Sequence, residues 1–372
     1  MDEWKSFPLD RDSEQIKQKV EKYFSIYGAR EGEIDSFYIH MPSGSKTLEE
    51  KFECLRLELK EMDLIPFLRY DKGEYILLVT KKPKLKTRPN WLNIILFFTT
   101  IVTTTLSGSI IFLLQYMEWG IKEMFLPQNL LNGLVFFSFP LMAILGIHEL
   151  GHYFVSKKHN VAASLPFFIP IPPNPILPLG TLGAVISMRE PIPDRKALIE
   201  IGIAGPIAGF LVSIPVLIVG LYMSDIVAIS SLPENALTLG DSLMTLLLSN
   251  IMFAVPEGYI LSSHPTAFAG WVGLLVTAIN LLPVGQLDGG HIARGALKEK
   301  HKYASIAAVA LLILSSLLGG GWLFMAFFIV FIIGVGHPPA LNEFVPLDTK
   351  MKGLVLLAIL IFILSFIPVP IS

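Results

Sequence analysis

Apolar residues in this chain are gathered into long uninterrupted stretches. Residues 89–117, 124–147, 201–224, 258–287 and 353–372 contain no Asp, Glu, Lys or Arg, and a membrane-spanning helix needs about 20 apolar residues. Residues 303–342 form a further charge-free run, broken by Gly319-Gly320-Gly321. Its length suits two short spans joined by a glycine turn, so the pattern predicts seven spans. Residues 159–188 are also uncharged, but they are not expected to form a helix. Pro166, Pro170, Pro172, Pro173, Pro175 and Pro178 each remove a backbone donor and clash with the preceding turn. Such backbone survives at membrane depth only where protein or a wet cavity surrounds it. A re-entrant or extended element is therefore predicted between the second and third spans, with the β-branched TLGAVIS (181–187) as its strand. SLMTLLLSNIMFAVP (242–256) is too short to cross and is expected to lie in the interface.

Ahead of the first run the pattern changes. Ile16, Val20 and Phe24 fall on one face of a helix, and Phe52, Leu55, Leu59 and Met62 fall on one face of a second. IPFLRY (65–70), the turn Asp71-Lys72-Gly73 and EYILLVT (74–80) read as a β-hairpin, and FYIHM (37–41) as a further strand. Residues 1–88 are thus a small α+β domain, regulatory or docking in character, and residues 89–372 a membrane domain. Charge agrees: residues 1–90 carry 17 Lys/Arg and 17 Asp/Glu, 34 of the chain's 60 charges. The other 26 are too few to solvate a globular domain of 282 residues. The fold class is a multi-span α-helical membrane protein with a water-soluble head.

A formal net charge of −2 provides no basic footprint, which argues against a nucleic-acid partner. The single cysteine, Cys54, cannot form an internal disulfide and fits a reducing compartment. The start MDEWKSF lacks the features of a secretory or transit sequence. The excess of Lys and Arg orients the spans. KKPKLKTR (81–88), Lys157, Lys158, Arg189, Arg195, Lys196, Arg294, Lys298, Lys300 and Lys302 all fall on one side, read as cytoplasmic. The loop 225–257 has four acidic residues and no basic one. Lys350 and Lys352 join the basic side if 303–342 crosses twice. The expected topology is N-terminus in, C-terminus out, in the cell membrane.

The chemistry is concentrated at the end of the second span, AILGIHELGHYFVSKK. His148 and His152 are four residues apart, so on a helix they share a face and can converge on one metal ion, for which neutral imidazole suits Zn²⁺. Glu149 is offset between them, within reach of a water on that metal. Left unpaired, two imidazoles and a carboxylate in an apolar helix would cost several kcal/mol. Catalytic zinc takes a third protein ligand, which must lie at matching depth. Asp288, in NLLPVGQLDGGH (280–291), meets that condition near the basic residue Arg294. Glu200 also lies near the end of a span but reads as salt-bridged or snorkelling. Asp194 is expected in solvent, and Asp241 and Glu257 lie on the wrong side. His291 could be a ligand or a donor behind one, and the second reading is preferred. His264 and His337 are expected near span ends without a metal, and His40, His159 and His301 on the surface. Gly205 and Gly209, in IAGPIAGF (203–210), are expected to permit close helix packing.

HELGH at 148–152 together with NLLPVGQLDGGH at 280–291 resembles the site-2 proteases, intramembrane zinc metalloproteases. GTLGAVI (180–186), PIPDRKAL (191–198) and IGIAGPIAGF (201–210) resemble the branch found in archaea, bacteria and plant plastids. The likeness covers about 130–300; the head and the C-terminal spans at 303–370 lie outside it, and no inserted PDZ-like or nucleotide-binding domain is present. It implies one zinc ion on His148, His152 and Asp288, Glu149 as catalytic base and Asn280 beside the site. It also implies that GTLGAVI is an edge strand near the substrate, a single-span membrane protein cut by regulated intramembrane proteolysis. An edge strand could hold an unwound substrate by β-augmentation, and Asn280 could add a donor for the developing oxyanion. Two rivals remain. One is another membrane zincin, such as a prenyl-protein-processing protease, with a glutamate as third ligand. The other is a non-catalytic scaffold or metal transporter, which would spread ionisable residues along a path or tolerate loss of Glu149.

Overall fold

The computed structural model describes all residues except 1–12, 31–33, 43, 84–87, 116–120, 174–177, 233–237, 318, 320 and 371–372. Pro175, Gly320, Lys84 and Lys86, used above, lie outside the described residues.

The head consists of α1 (Ser13–Glu21), β1 (Ser25–Arg30), β2 (Asp35–His40), α2 (Ser45–Lys60), β3 (Leu64–Asp71) and β4 (Glu74–Lys81). The strands form one antiparallel sheet in the order β1-β2-β4-β3. Ile16, Val20, Phe24, Phe52, Leu55 and Leu59 are all buried between helices and sheet, as their spacing predicts. Lys72 and Gly73 both take positive φ (48° and 94°), the geometry that lets a two-residue turn follow the strands' right-handed twist. Strand β1 was not expected. It is a six-residue edge strand with Gly28 at a register irregularity, so its alternation is weak.

The apolar runs become helices: α3 (Asn90–Gln115), α4 (Pro127–Lys158), α5 (Arg195–Tyr222), α6 (Leu243–Met252), α7 (Pro265–Asn280), α8 (Asp288–Leu297), α9 (His301–Leu317), α10 (Leu323–Ile333) and α11 (Thr349–Ser365). Among the described residues three helices, the first three spans predicted, are long and apolar enough to cross a membrane by length and composition. The later ones are shorter than their charge-free runs. α7 covers only 16 residues of the 258–287 run, because β8 (Tyr259–Ser262) precedes it and a tight turn at 281–287 follows it. β8 pairs with β7 (Asp225–Ala228). The described residues of the proline-rich stretch are non-helical, with β5 (Phe167–Pro170) antiparallel to β6 (Thr181–Val185). α5 is the hub, packing against α4, α7, α8 and α11.

The chain from α9 to α11 leaves one end of the bundle and returns to it. Ser315 Oγ donates to Pro368 O (3.1 Å) and Trp322 Nε1 to Ile367 O (3.2 Å), so the far end of α9 meets the C-terminus. The backbone N–H of His337 then donates to His301 Nε2 (3.2 Å), back where α9 began.

From there residues 338–345 run as a strap between head and membrane helices. Leu68 N–H of β3 donates to Leu341 O (2.9 Å), while Leu341 N–H and Asn342 N–H donate to Ile192 O (3.0 Å) and Pro193 O (2.9 Å). Leu341 is buried in the head's own core, and Phe344 packs edge-on against Tyr75. Ion pairs flank the seam: Lys196 with Glu49 (2.6 Å), and Lys60 (2.7 Å) and Lys82 (2.5 Å) with Glu190.

Burial alone would raise the pKa of Glu190. Lys60, Lys82 and the N–H of Ala162 outweigh it and hold the carboxyl below the usual range. A depressed carboxylate contributes stability above its unfolded pKa, about 4.3, and loses it as pH falls through the lower folded value. Acidification below about pH 4 is therefore expected to loosen head docking. Faster hydrogen exchange in β3 and residues 188–193 would register it, with Glu190→Gln showing the same rise already at neutral pH.

Candidate metal centre

α4 opens with an α-helical segment, passes through a π turn at Leu134–Ser138 and continues as α-helix from Phe139. Pro140 lacks an N–H, and the Phe139 N–H reaches back five residues to Leu134 O. The widened turn absorbs the proline without breaking the helix. Beyond it His148, Glu149 and His152 are all buried, the two histidines against α5.

Close approach of α5 makes the site. His152 Nδ1–H donates to Ile201 O (2.7 Å), which fixes the ring. Gly205 lies beside it: a Cβ there would stand 2.0 Å from His152 Nε2, and one at Gly209 would stand 3.0 Å from His148 Nδ1. The expectation of close packing is met, but its partner is the histidine pair itself. Asp288 is the first residue of α8, and Gly289 and Gly290 let that turn lie against the carbonyls of Leu281 and Gly285, at 2.1 Å from an added Cβ in each case.

These elements bring three donor atoms together. His148 Nε2 to Asp288 Oδ2 is 3.3 Å, His152 Nε2 to Asp288 Oδ2 is 3.2 Å, and the two Nε2 atoms are 3.2 Å apart. With Nδ1–H of His152 given to Ile201 O, the Nε2 atoms of both histidines face one carboxylate oxygen, a set of atoms of the kinds that zinc takes. Around a tetrahedral zinc with bonds of about 2.0 Å, ligand atoms are about 3.3 Å apart, so this triangle fits zinc. Among the described residues, His148, His152 and Asp288 are the group able to hold a metal ion.

Glu149 stands beside the triangle, its Oε1 3.9 Å from His148 Nε2. Its carboxylate accepts the N–H of Ile186, directly after β6. Asn280, at the end of α7, has its Nδ2 3.2 Å from His148 Nε2. Glu200 is not in the site; it is engaged by Lys158 (2.8 Å), His159 (2.9 Å) and Lys350 (2.7 Å).

Asp194 and His301 depart from expectation. Asp194 is not free in solvent: it caps α5, accepting the Ala197 N–H at 2.8 Å, and is partly buried. His291 lies outside the triangle and bonds His337 instead, Nδ1 to Nε2 at 2.7 Å. His301 and His337 are buried, because the return of the chain after α10 covers both. No periodicity marks that return.

Asp288→Asn is expected to weaken zinc binding by more than the ~100-fold that residues behind the ligands carry, while Glu200→Gln retains zinc. Metal analysis of the two purified variants decides it, and the reverse outcome would move the third ligand to Glu200.

The profile of peptidase family M50 matches residues 136–318. The chain is 32% identical over 242 residues to the probable zinc metalloprotease EGY1, chloroplastic, of Arabidopsis thaliana, covering 62% of this chain and 42% of that protein. It is 31% identical to the probable zinc metalloprotease EGY2, chloroplastic, of the same plant (61% and 40% covered). It is 29% identical to the probable zinc metalloprotease EGY3, chloroplastic, of Oryza sativa subsp. indica (61% and 41% covered). The chain thus spans about two fifths of the length of these curated relatives. No solved structure matches it.

Proposed function

We propose that this chain, whose residues 136–318 match peptidase family M50, is a site-2 protease, a zinc endopeptidase cutting membrane-protein substrates within or near their transmembrane segments. The observation that carries this reading is the triangle of His148, His152 and Asp288 with Glu149 at its edge. Zinc held there would supply Lewis-acid activation of a water and of the scissile carbonyl.

The chain's own groups do the rest. Glu149 takes a proton from the attacking water and passes it to the leaving amine. Asn280 offers an N–H to the developing oxyanion. β6 receives the substrate: its edge residues Leu182 and Val185 are exposed, and Glu149 is tied to the backbone just beyond them. A transmembrane helix must unwind before a peptide bond is accessible, and an added strand on β6 replaces the hydrogen bonds that lipid cannot supply. The partners are single-span membrane proteins.

Seven crossings are the topology we favour, with the head on the Lys/Arg-rich side. The contact of His337 with His301, and of Ser315 with Pro368, supports an out-and-back path through α9 and α10 before α11 crosses again. The names of the curated relatives favour a plastid membrane over the cell membrane; the charge rule assigns the site to the basic side of either. A prenyl-protein-type zincin would need a glutamate as third ligand, and Glu200 is committed to two lysines and His159.

The test is cleavage of a co-expressed single-span protein in detergent, with and without a zinc chelator. Chelator-resistant cleavage would end the zinc reading. For the strand, Ala184→Pro removes one N–H from β6 on the edge that, two residues on, presents the Ile186 N–H to Glu149. About tenfold slower cleavage is expected, the worth of one hydrogen bond, with zinc content unchanged; an unaltered rate would exclude β6 as the docking edge. The Glu149→Gln variant used as bait would retain uncut substrates and identify them.

A further inference from the structure

Three histidines outside the triangle form a chain whose hydrogen bonds leave one arrangement of protons. His337 is buried, and its Nδ1 lies 2.6 Å from Pro338 O, a pure acceptor, so Nδ1 carries a proton. Burial, followed by neighbouring His291, pushes the pKa of His337 down to about 3, so the ring is neutral and has only that proton. Its Nε2 must therefore accept, and the group 2.7 Å away is His291 Nδ1. His291 consequently donates from Nδ1. His301 is fixed in the same way, with Nδ1 on Lys298 O (2.8 Å) and Nε2 accepting the His337 backbone N–H (3.2 Å).

We infer that His337 is a positioning residue, which holds His291 in the Nδ1–H tautomer and leaves a bare Nε2 one helical turn from Asp288. A bare nitrogen at that position accepts a hydrogen bond from water or from an amine; the other tautomer would donate one instead. His337 stands beyond the stretch matched by the family profile. It is delivered by the strap that goes on to dock the head through Leu341. The proton arrangement beside the site is thereby joined to the return of the chain after α10.

The consequence for catalysis rests on the peptidase reading; the tautomer does not. Nitrogen NMR of histidine-labelled, zinc-loaded full chain reads the two ring nitrogens of His291 directly, with His291→Ala giving the assignment. We expect the Nδ1–H pattern in wild type and in His337→Gln, whose side-chain oxygen can still accept. In His337→Leu a mixture of tautomers is expected, with kcat down about tenfold, the scale seen for partners behind a metal site, and KM unchanged. An Nε2–H pattern in wild type, or a His291 ring indifferent to His337→Leu, would overturn the inference. Should His337→Leu fail to fold, the wild-type pattern and His337→Gln still decide it. Failure of the peptidase reading would show separately, as full cleavage by Glu149→Gln.

Discussion

Glu149→Gln is expected to slow peptide cleavage by about a thousandfold, within the range that a positioned general base contributes. The substitution keeps the size of the side chain and an oxygen to accept the Ile186 N–H. What it loses is the ability to take a proton. Zinc content should be unchanged, because the three atoms able to hold the ion belong to His148, His152 and Asp288. Single-turnover cleavage combined with metal analysis separates the two effects. A variant that binds zinc and cuts at the wild-type rate would remove Glu149 from the reaction.

The second large effect is expected from a position that touches no substrate. In Gly205→Ala the new methyl carbon would lie 2.0 Å from His152 Nε2 and 2.4 Å from Cδ2. The ring cannot rotate away without giving up the bond from Nδ1 to Ile201 O. Either the imidazole leaves the triangle or α5 moves off α4. Zinc affinity should fall about 100-fold or more, the upper range for disturbed surroundings of a metal, with overpacking costing roughly 1–3 kcal/mol of stability. Gly209→Ala is the control. Its methyl would sit 3.0 Å from His148 Nδ1, which a shift of a few tenths of an ångström relieves. Competition with a chelator measures the difference; equal zinc affinity in the two variants would contradict the close crossing of α4 and α5.

Much of this arrangement was legible in the chain because its signals are local. The charge-free runs marked the helices, the prolines kept the described part of 159–188 out of helix, and the four-residue spacing of His148 and His152 put both rings on one face. Asp288 could be proposed from depth alone, since Arg294 marks the side of the membrane. Non-local features were not legible. Nothing near Ile201 announces that its carbonyl holds His152, because that contact depends on how two helices cross. β1 is too short and too broken by Gly28 to alternate clearly. The burial of His301 and His337 follows from a chain reversal through α10, where every residue type is compatible with several paths. Helix lengths were overestimated for the same reason: lack of charge marks a permissive stretch, and the turns inside it are set by partners elsewhere.

The place of Leu341 has a consequence for biosynthesis. A ribosome emitting about 5–20 residues per second completes β4 long before it reaches this leucine, so for ten seconds or more the amino-terminal fold waits with its hydrophobic interior unplugged. Its last core side chain arrives only after the α10 helix has been made. Maturation of the head therefore reports that the helices from α3 to α10 have been made, and a nascent chain stalled before position 341 should expose a sticky, protease-sensitive amino-terminal lobe.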